Sequence, residues 1–88
     1  MVTQTVKVKN RAGIHARPAM VIVQATLKFT SNIYLEKNEY RVNAKSIMGV
    51  ITLAAAYGTE LTIIAEGEDE KEALAAMINL FDINFEEE

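Results

Sequence analysis

One histidine stands in this chain of 88 residues, and its neighbours make it the first candidate for chemistry. His15 follows Gly13 and Ile14 and precedes Ala16, Arg17 and Pro18. Ala16, Ala19, Met20, Val23 and Leu27 recur at three- and four-residue spacing, which predicts a helix from about Ala16 to Lys28. Pro18 in its first turn breaks no hydrogen bond, because those N–H groups have no intrahelical partner. The same orphan donors, with the partial positive charge of a helix start, suit an anion. Arg17 adds a planar, permanently charged donor for phosphate oxygens. A neutral imidazole placed there is equipped to accept and hand on a phosphoryl group. On spacing alone a plainer reading stands beside it, in which His15 caps the helix and Arg17 is a solvated charge.

Two further features bear on function. Ser46 precedes a largely apolar run, Ile47–Ala56, and reads as the N-cap of a second helix that closes near Gly58. A phosphate on that serine would be tolerated electrostatically at a helix N-terminus. Ile47, Met48 and Ile51 make the helix too apolar to be covered easily in so small a domain. They are either core or a partner surface. The chain has no cysteine, which removes disulfides, Cys-based zinc sites and thiol catalysis, and one histidine cannot build a His-rich cage. No metal and no cofactor are expected.

Composition sets the frame for these residues. Hydrophobic residues are 50% and charged residues 24%, ordinary globular usage, and the length allows one core, so residues 1–88 are expected to form a single domain. The formal net charge of −3 argues against a general nucleic-acid binder. No apolar run approaches a membrane span and the N-terminus lacks a leader pattern, so a cytoplasmic chain without membrane insertion is expected. Charge is uneven: residues 1–45 hold eight basic side chains against Glu36 and Glu39, a net of +6, whereas residues 66–88 hold nine acidic ones against Lys71, a net of −8. The basic end is suited to steering acidic partners.

The elements that must position His15 follow from periodicity. Met1–Lys9 alternates as a half-buried strand and residues 10–15 form a loop turning at Gly13. Residues 32–36 and 40–44 alternate around a short polar link, as a hairpin does. Leu61, Ile63 and Ala65 alternate in a last strand that Ile64 makes apolar on both faces. Asp69 and Glu72 resemble a capping box, before a helix with the stripe Leu74, Met77, Ile78, Phe81 and Phe85. The order β-α-β-β-α-β-α predicts an α+β open-faced sandwich, a four-stranded antiparallel sheet covered on one face by three helices.

Gly13-Ile14-His15-Ala16-Arg17-Pro18-Ala19 and Lys45-Ser46-Ile47-Met48-Gly49-Val50 resemble the two signature segments of the HPr family. These are the histidine-containing phosphocarriers of the phosphoenolpyruvate-dependent sugar phosphotransferase system. The resemblance extends over essentially the whole chain, including the Ala65–Glu70 lead-in to the last helix. It implies a stoichiometric phosphocarrier, not an enzyme: enzyme I donates a phosphoryl group to Nδ1 of His15, which passes it to an enzyme IIA domain. Ala16 and Arg17 would hold the phosphate, and Met20, Ile47, Met48 and Ile51 would form the docking surface. Ser46 would be the regulatory site of an HPr kinase/phosphorylase. A monomer without nucleic acid is expected. The chain departs from a frequent family pattern at Gln24, often lysine, and at Ala54, often glycine. Two other readings are a regulatory, nitrogen-type carrier without a sugar permease, and a small α+β RNA-binding module. The latter needs aromatic residues on the sheet face, for which Tyr34 and Tyr40 are the candidates.

Overall fold

The computed structural model describes residues 1–86. The chain runs through β1 (Val2–Lys7), α1 (Ala16–Thr26), β2 (Asn32–Lys37), β3 (Tyr40–Asn43), α2 (Ile47–Thr52), β4 (Glu60–Glu66) and α3 (Glu70–Asp82), ending in a tight turn at Asn84–Glu86. The strands form one antiparallel sheet in the order β1-β4-β2-β3, and the helices cover one face, as expected of an open-faced sandwich. The most apolar strand, β4, lies between β1 and β2. That placement accounts for Ile64. Its register neighbours on the open face are Thr3 and Tyr34, and flanked on both sides it is only 4% exposed. The guanidinium of Arg41 sits 5.4 Å from the centre of the Tyr34 ring. Tyr40 belongs to the opposite, helix-covered face, where its hydroxyl lies 3.1 Å from that of Thr52. The sheet therefore shows no aromatic platform.

The helices settle with a phase that differs in part from the periodic reading. In α1 the buried face is Pro18, Ala19, Ile22 and Thr26, and the expected stripe members Met20 and Leu27 are exposed. Val21, Ile22 and Val23 are consecutive, so the pattern admitted more than one phase. Thr26 decides it, because its hydroxyl lies 2.9 Å from the carbonyl oxygen of Ala44, a hydrogen bond that lets a polar side chain be fully buried. In α3 the buried residues are Ala73, Met77, Leu80 and Phe81, with Leu74 and Ile78 half-buried. Phe85 is buried against Phe81, ring centres 4.8 Å apart, but from the terminal turn and not from the helix.

The expected capping box at Asp69 is not formed. Its carboxylate makes no cap bond to α3 and instead accepts the backbone N–H of Thr30 and of Ser31, each at 2.9 Å, and the Ser31 hydroxyl. It tethers the α1–β2 loop to the start of α3. Gly67 permits the approach: its φ is +150°, and a Cβ there would lie 2.7 Å from the Ser31 Cα. The Ser31 hydroxyl first, then the Thr30 amide, hold the Asp69 carboxyl at a pKa of about 2, below the ordinary 3.8. A depressed folded-state pKa stabilises the fold above the unfolded value and stops doing so as pH falls through the folded one. Asp69→Asn is therefore expected to melt below wild type at neutral pH, with a gap that is constant above about pH 5 and shrinks between about pH 4 and 2. Thermal melts across pH 2–7 measure this; a gap of constant size down to pH 2 would refute it.

Candidate functional site

His15 is the N-cap residue of α1, in extended backbone (φ −98°, ψ −163°), and its carbonyl accepts the Ala19 N–H at 3.0 Å. The residue is exposed, and its side chain makes no cap hydrogen bond to the helix. The plainer reading, in which His15 caps the helix, holds for its backbone carbonyl and not for its side chain. Since Pro18 has no N–H and Ala19 is already bonded, Ala16 and Arg17 carry the orphan amides of the first turn. Arg17 is exposed as well and lines an open depression of about 570 Å³ with Lys9, Asn10, Arg11, Ala12, Asn84 and Glu86.

The loop before His15 is held from three directions. The Gly13 N–H bonds to the Asn10 carbonyl at 3.1 Å, the Asn10 side-chain amide donates to the Gly13 carbonyl at 2.7 Å, and the Ile14 N–H donates to the Ala55 carbonyl at 2.8 Å. Ile14 is buried and acts as the anchor. Gly13 has φ +74°, and a Cβ there would lie 2.6 Å from the Ala55 oxygen. An exposed imidazole is thus carried on a rigid base.

The partner of that loop follows α2, which ends at Thr52 and not at Ala56. Ala54 stands in the left-handed region at φ +52°, just past the C-cap Leu53. Such positions favour glycine, so this departure from the family pattern concerns backbone torsion and not helix packing. Ala54→Gly is expected to raise the unfolding free energy by roughly 0.5–1 kcal/mol by relieving that torsion. Urea unfolding measures it, and an unchanged or lower midpoint would contradict the torsional account.

Ser46 caps α2 as expected: its hydroxyl accepts the Gly49 N–H at 3.1 Å. It is half-buried. The neighbouring Lys45 ammonium donates to the Phe29 carbonyl at 2.7 Å and is turned away from open solvent. Only Val50 of α2 is buried, with Leu53 just beyond it. Ile47, Met48 and Ile51 are 37%, 65% and 38% exposed, and Met20 on the neighbouring α1 is 49% exposed. The structure therefore leaves all four on the surface, on the two helices that pack beside one another.

Sequence reasoning passed over two features here. Ala55 supplies its carbonyl to the loop across 41 positions of chain and carries no sequence signal. Arg11 had one, a cation next to the turn that leads to His15, but only the depression shows that it shares a wall with Arg17. Among the described residues no cluster of three or more His, Cys, Asp or Glu side chains is gathered to hold a metal, and no helix is long and apolar enough to cross a membrane.

Comparison with known proteins bears on the same residues. A family model described as PTS HPr component phosphorylation site matches residues 2–82. Phosphocarrier protein HPr of Treponema pallidum (strain Nichols) is 57% identical over 88 residues, the whole of both chains. HPr-like protein Crh of Bacillus subtilis (strain 168) is 55% identical over 74 residues, which is 84% of this chain and 87% of that one. The crystal structure of HPr from Thermoanaerobacter tengcongensis aligns with a TM-score of 0.96 at 45% identity, covering 100% of this chain and 99% of the other.

Proposed function

The chain belongs to the HPr family of phosphotransferase-system phosphocarriers, and on that footing we propose that His15 takes a phosphoryl group from phosphorylated enzyme I and passes it to an enzyme IIA domain. The Nδ1 lone pair forms the new P–N bond as the donor's P–N bond breaks; the same exchange in the opposite sense delivers the group to the acceptor. The observation that carries this reading is the exposed imidazole at the start of α1 on a loop pinned by three hydrogen bonds. The Ala16 and Arg17 amides, left without an intrahelical partner, and the exposed Arg17 guanidinium are the groups we assign to the transferred oxygens. An open site suits a relay, since a closed one would bind the phosphate too well to release it. Proximity within each complex and charge stabilisation supply the rate.

Met20, Ile47, Met48 and Ile51 form the apolar ground on which the partners dock, and the carrier works as a monomer in the cytoplasm. The test is incubation with enzyme I and phosphoenolpyruvate followed by intact-mass analysis. One acid-labile phosphoryl group is expected; an acid-stable group, or none, would end the reading. Offering the labelled carrier to sugar-type and nitrogen-type IIA domains separates a transport role from a regulatory one.

Ser46 is the proposed site of negative regulation by an ATP-dependent kinase. A phosphate there keeps a favourable place at the α2 start while adding roughly −1.5 to −2 charges beside Met48. An acidic partner surface would be repelled by it. Ser46→Asp is expected to slow His15 phosphorylation by up to about tenfold at low salt, with the gap closing as salt rises. Stopped-flow rates for wild type, Ser46→Asp and Ser46→Ala measure this, and equal rates for all three would leave Ser46 as a helix cap only.

A further inference from the structure

The depression that Arg17 lines holds more positive charge, among the described residues, than phosphate binding uses. Among the described residues its walls carry Lys9, Arg11 and Arg17 against the carboxylate of Glu86. Lys9 is partly neutralised, its ammonium lying 3.8 Å from Asp82, both side chains being well exposed. No ion pair among the described residues engages Arg11 or Arg17. Arg11 is the second residue of the turn Asn10–Gly13, which is closed by both the Gly13 N–H and the Asn10 side-chain amide. Its backbone is thus fixed relative to His15, while its side chain reaches solvent.

We propose that Arg11 is a recruiting contact for the protein that carries the phosphoryl group, engaging carboxylates on an acidic face of that partner as His15 meets the donor. This rests on the phosphocarrier reading above and deepens it. Two guanidiniums on one depression, neither in an ion pair among the described residues, present planar forks suited to carboxylate oxygens at two places. A phosphoryl group on His15 occupies the helix amides and Arg17, which leaves Arg11 for the surrounding protein. A localised acidic face also matches the charge layout of the chain. A long polyanion would run onto residues 66–88, whose net charge is −8, whereas a protein patch can confine itself to the basic end. Arg11 then governs encounter and not the transfer step, because it lies outside the set that holds the moving oxygens.

The test is stopped-flow phosphorylation of the full chain by phosphorylated enzyme I, over a range of carrier concentration and at two salt concentrations. Arg11→Glu is expected to raise the apparent KM for the carrier about tenfold at low salt while leaving kcat unchanged, with the difference largely lost near 1 M salt. Arg11→Ala should fall between it and wild type and serves in its place if the reversed charge disturbs the fold in a thermal melt. Lys28→Glu makes the same charge change about 20 Å further along the α1 axis and should move KM little. An unchanged KM in both Arg11 variants, an equal effect from Lys28→Glu, or a loss confined to kcat would overturn the assignment while the phosphocarrier reading stood. Failure of wild type to label at His15 would remove both.

Discussion

His15→Ala is expected to abolish acid-labile phosphorylation by enzyme I and phosphoenolpyruvate completely, while the protein still melts cooperatively within about 4 °C of wild type. The loss should be total because the chain has one histidine, and no other side chain at the start of α1 offers a nitrogen lone pair at neutral pH. The fold should hold because His15 is exposed and its side chain makes no cap bond to α1. Exposed substitutions of this kind usually change stability by less than about 0.5 kcal/mol, and in a domain of this size 1 kcal/mol moves the melting temperature by about 4–8 °C. Arg17→Ala in the same assay should label fully but at least about tenfold more slowly, since it removes a charge-assisted contact and leaves the nucleophile. Residual acid-labile label in His15→Ala would refute the assignment, and wild-type rates in Arg17→Ala would refute the role given to the guanidinium.

Gly13→Ala should be strongly damaging for so small a substitution. The new Cβ would lie 2.6 Å from the Ala55 oxygen and 3.0 Å from the Ala56 Cα, both backbone atoms that cannot rotate away, at φ +74°. The left-handed torsion costs about 1 kcal/mol and the forced shift about 1–3 kcal/mol more. The melting temperature should therefore fall by roughly 10–25 °C. Gly58→Ala separates the two causes. Its φ is +86° with nothing within 4 Å of an added Cβ, so it should show the torsional cost alone. Phosphorylation of the Gly13 variant should also slow at temperatures where it remains folded, because the displaced backbone loosens the Ile14–Ala55 hydrogen bond that seats the His15 loop. Equal melting losses in the two glycine variants would show that contact with Ala55 is not what Gly13 serves.

These two positions differ in how they could be found. His15 and Arg17 were legible as candidates because a helix start, its orphan amides and a nearby guanidinium all lie within four residues. Ser46 was legible for the same reason, its hydroxyl bonding to an amide three positions on. The strands could be read from alternation, since side chains of a half-covered sheet change face at every residue. The identity of the face buried by α1 could not. Three consecutive apolar residues fit several phases, and the choice was made by the Ala44 carbonyl that Thr26 reaches from 18 positions away.

Asp69 shows the same division more sharply. Within its own segment it is a cap signal, and an aspartate three residues before a glutamate at a helix start is ordinarily spent there. Two amides and a hydroxyl 38 and 39 positions earlier proved the better partners, and the carboxylate left the helix to hold a loop. The exposure of Ile47, Met48 and Ile51, the left-handed torsion of Ala54 and the common depression of Arg11 and Arg17 likewise belong to the assembled fold. By itself the sequence determined which groups could do chemistry, the elements that carry them and the order of those elements, because periodicity, capping and turn preference act over a few bonds. Only the tertiary structure decided which face each helix buries, where each carboxylate spends its hydrogen bonds and which cations share a wall. Those outcomes are competitions between local partners and partners that arrive only when distant segments pack.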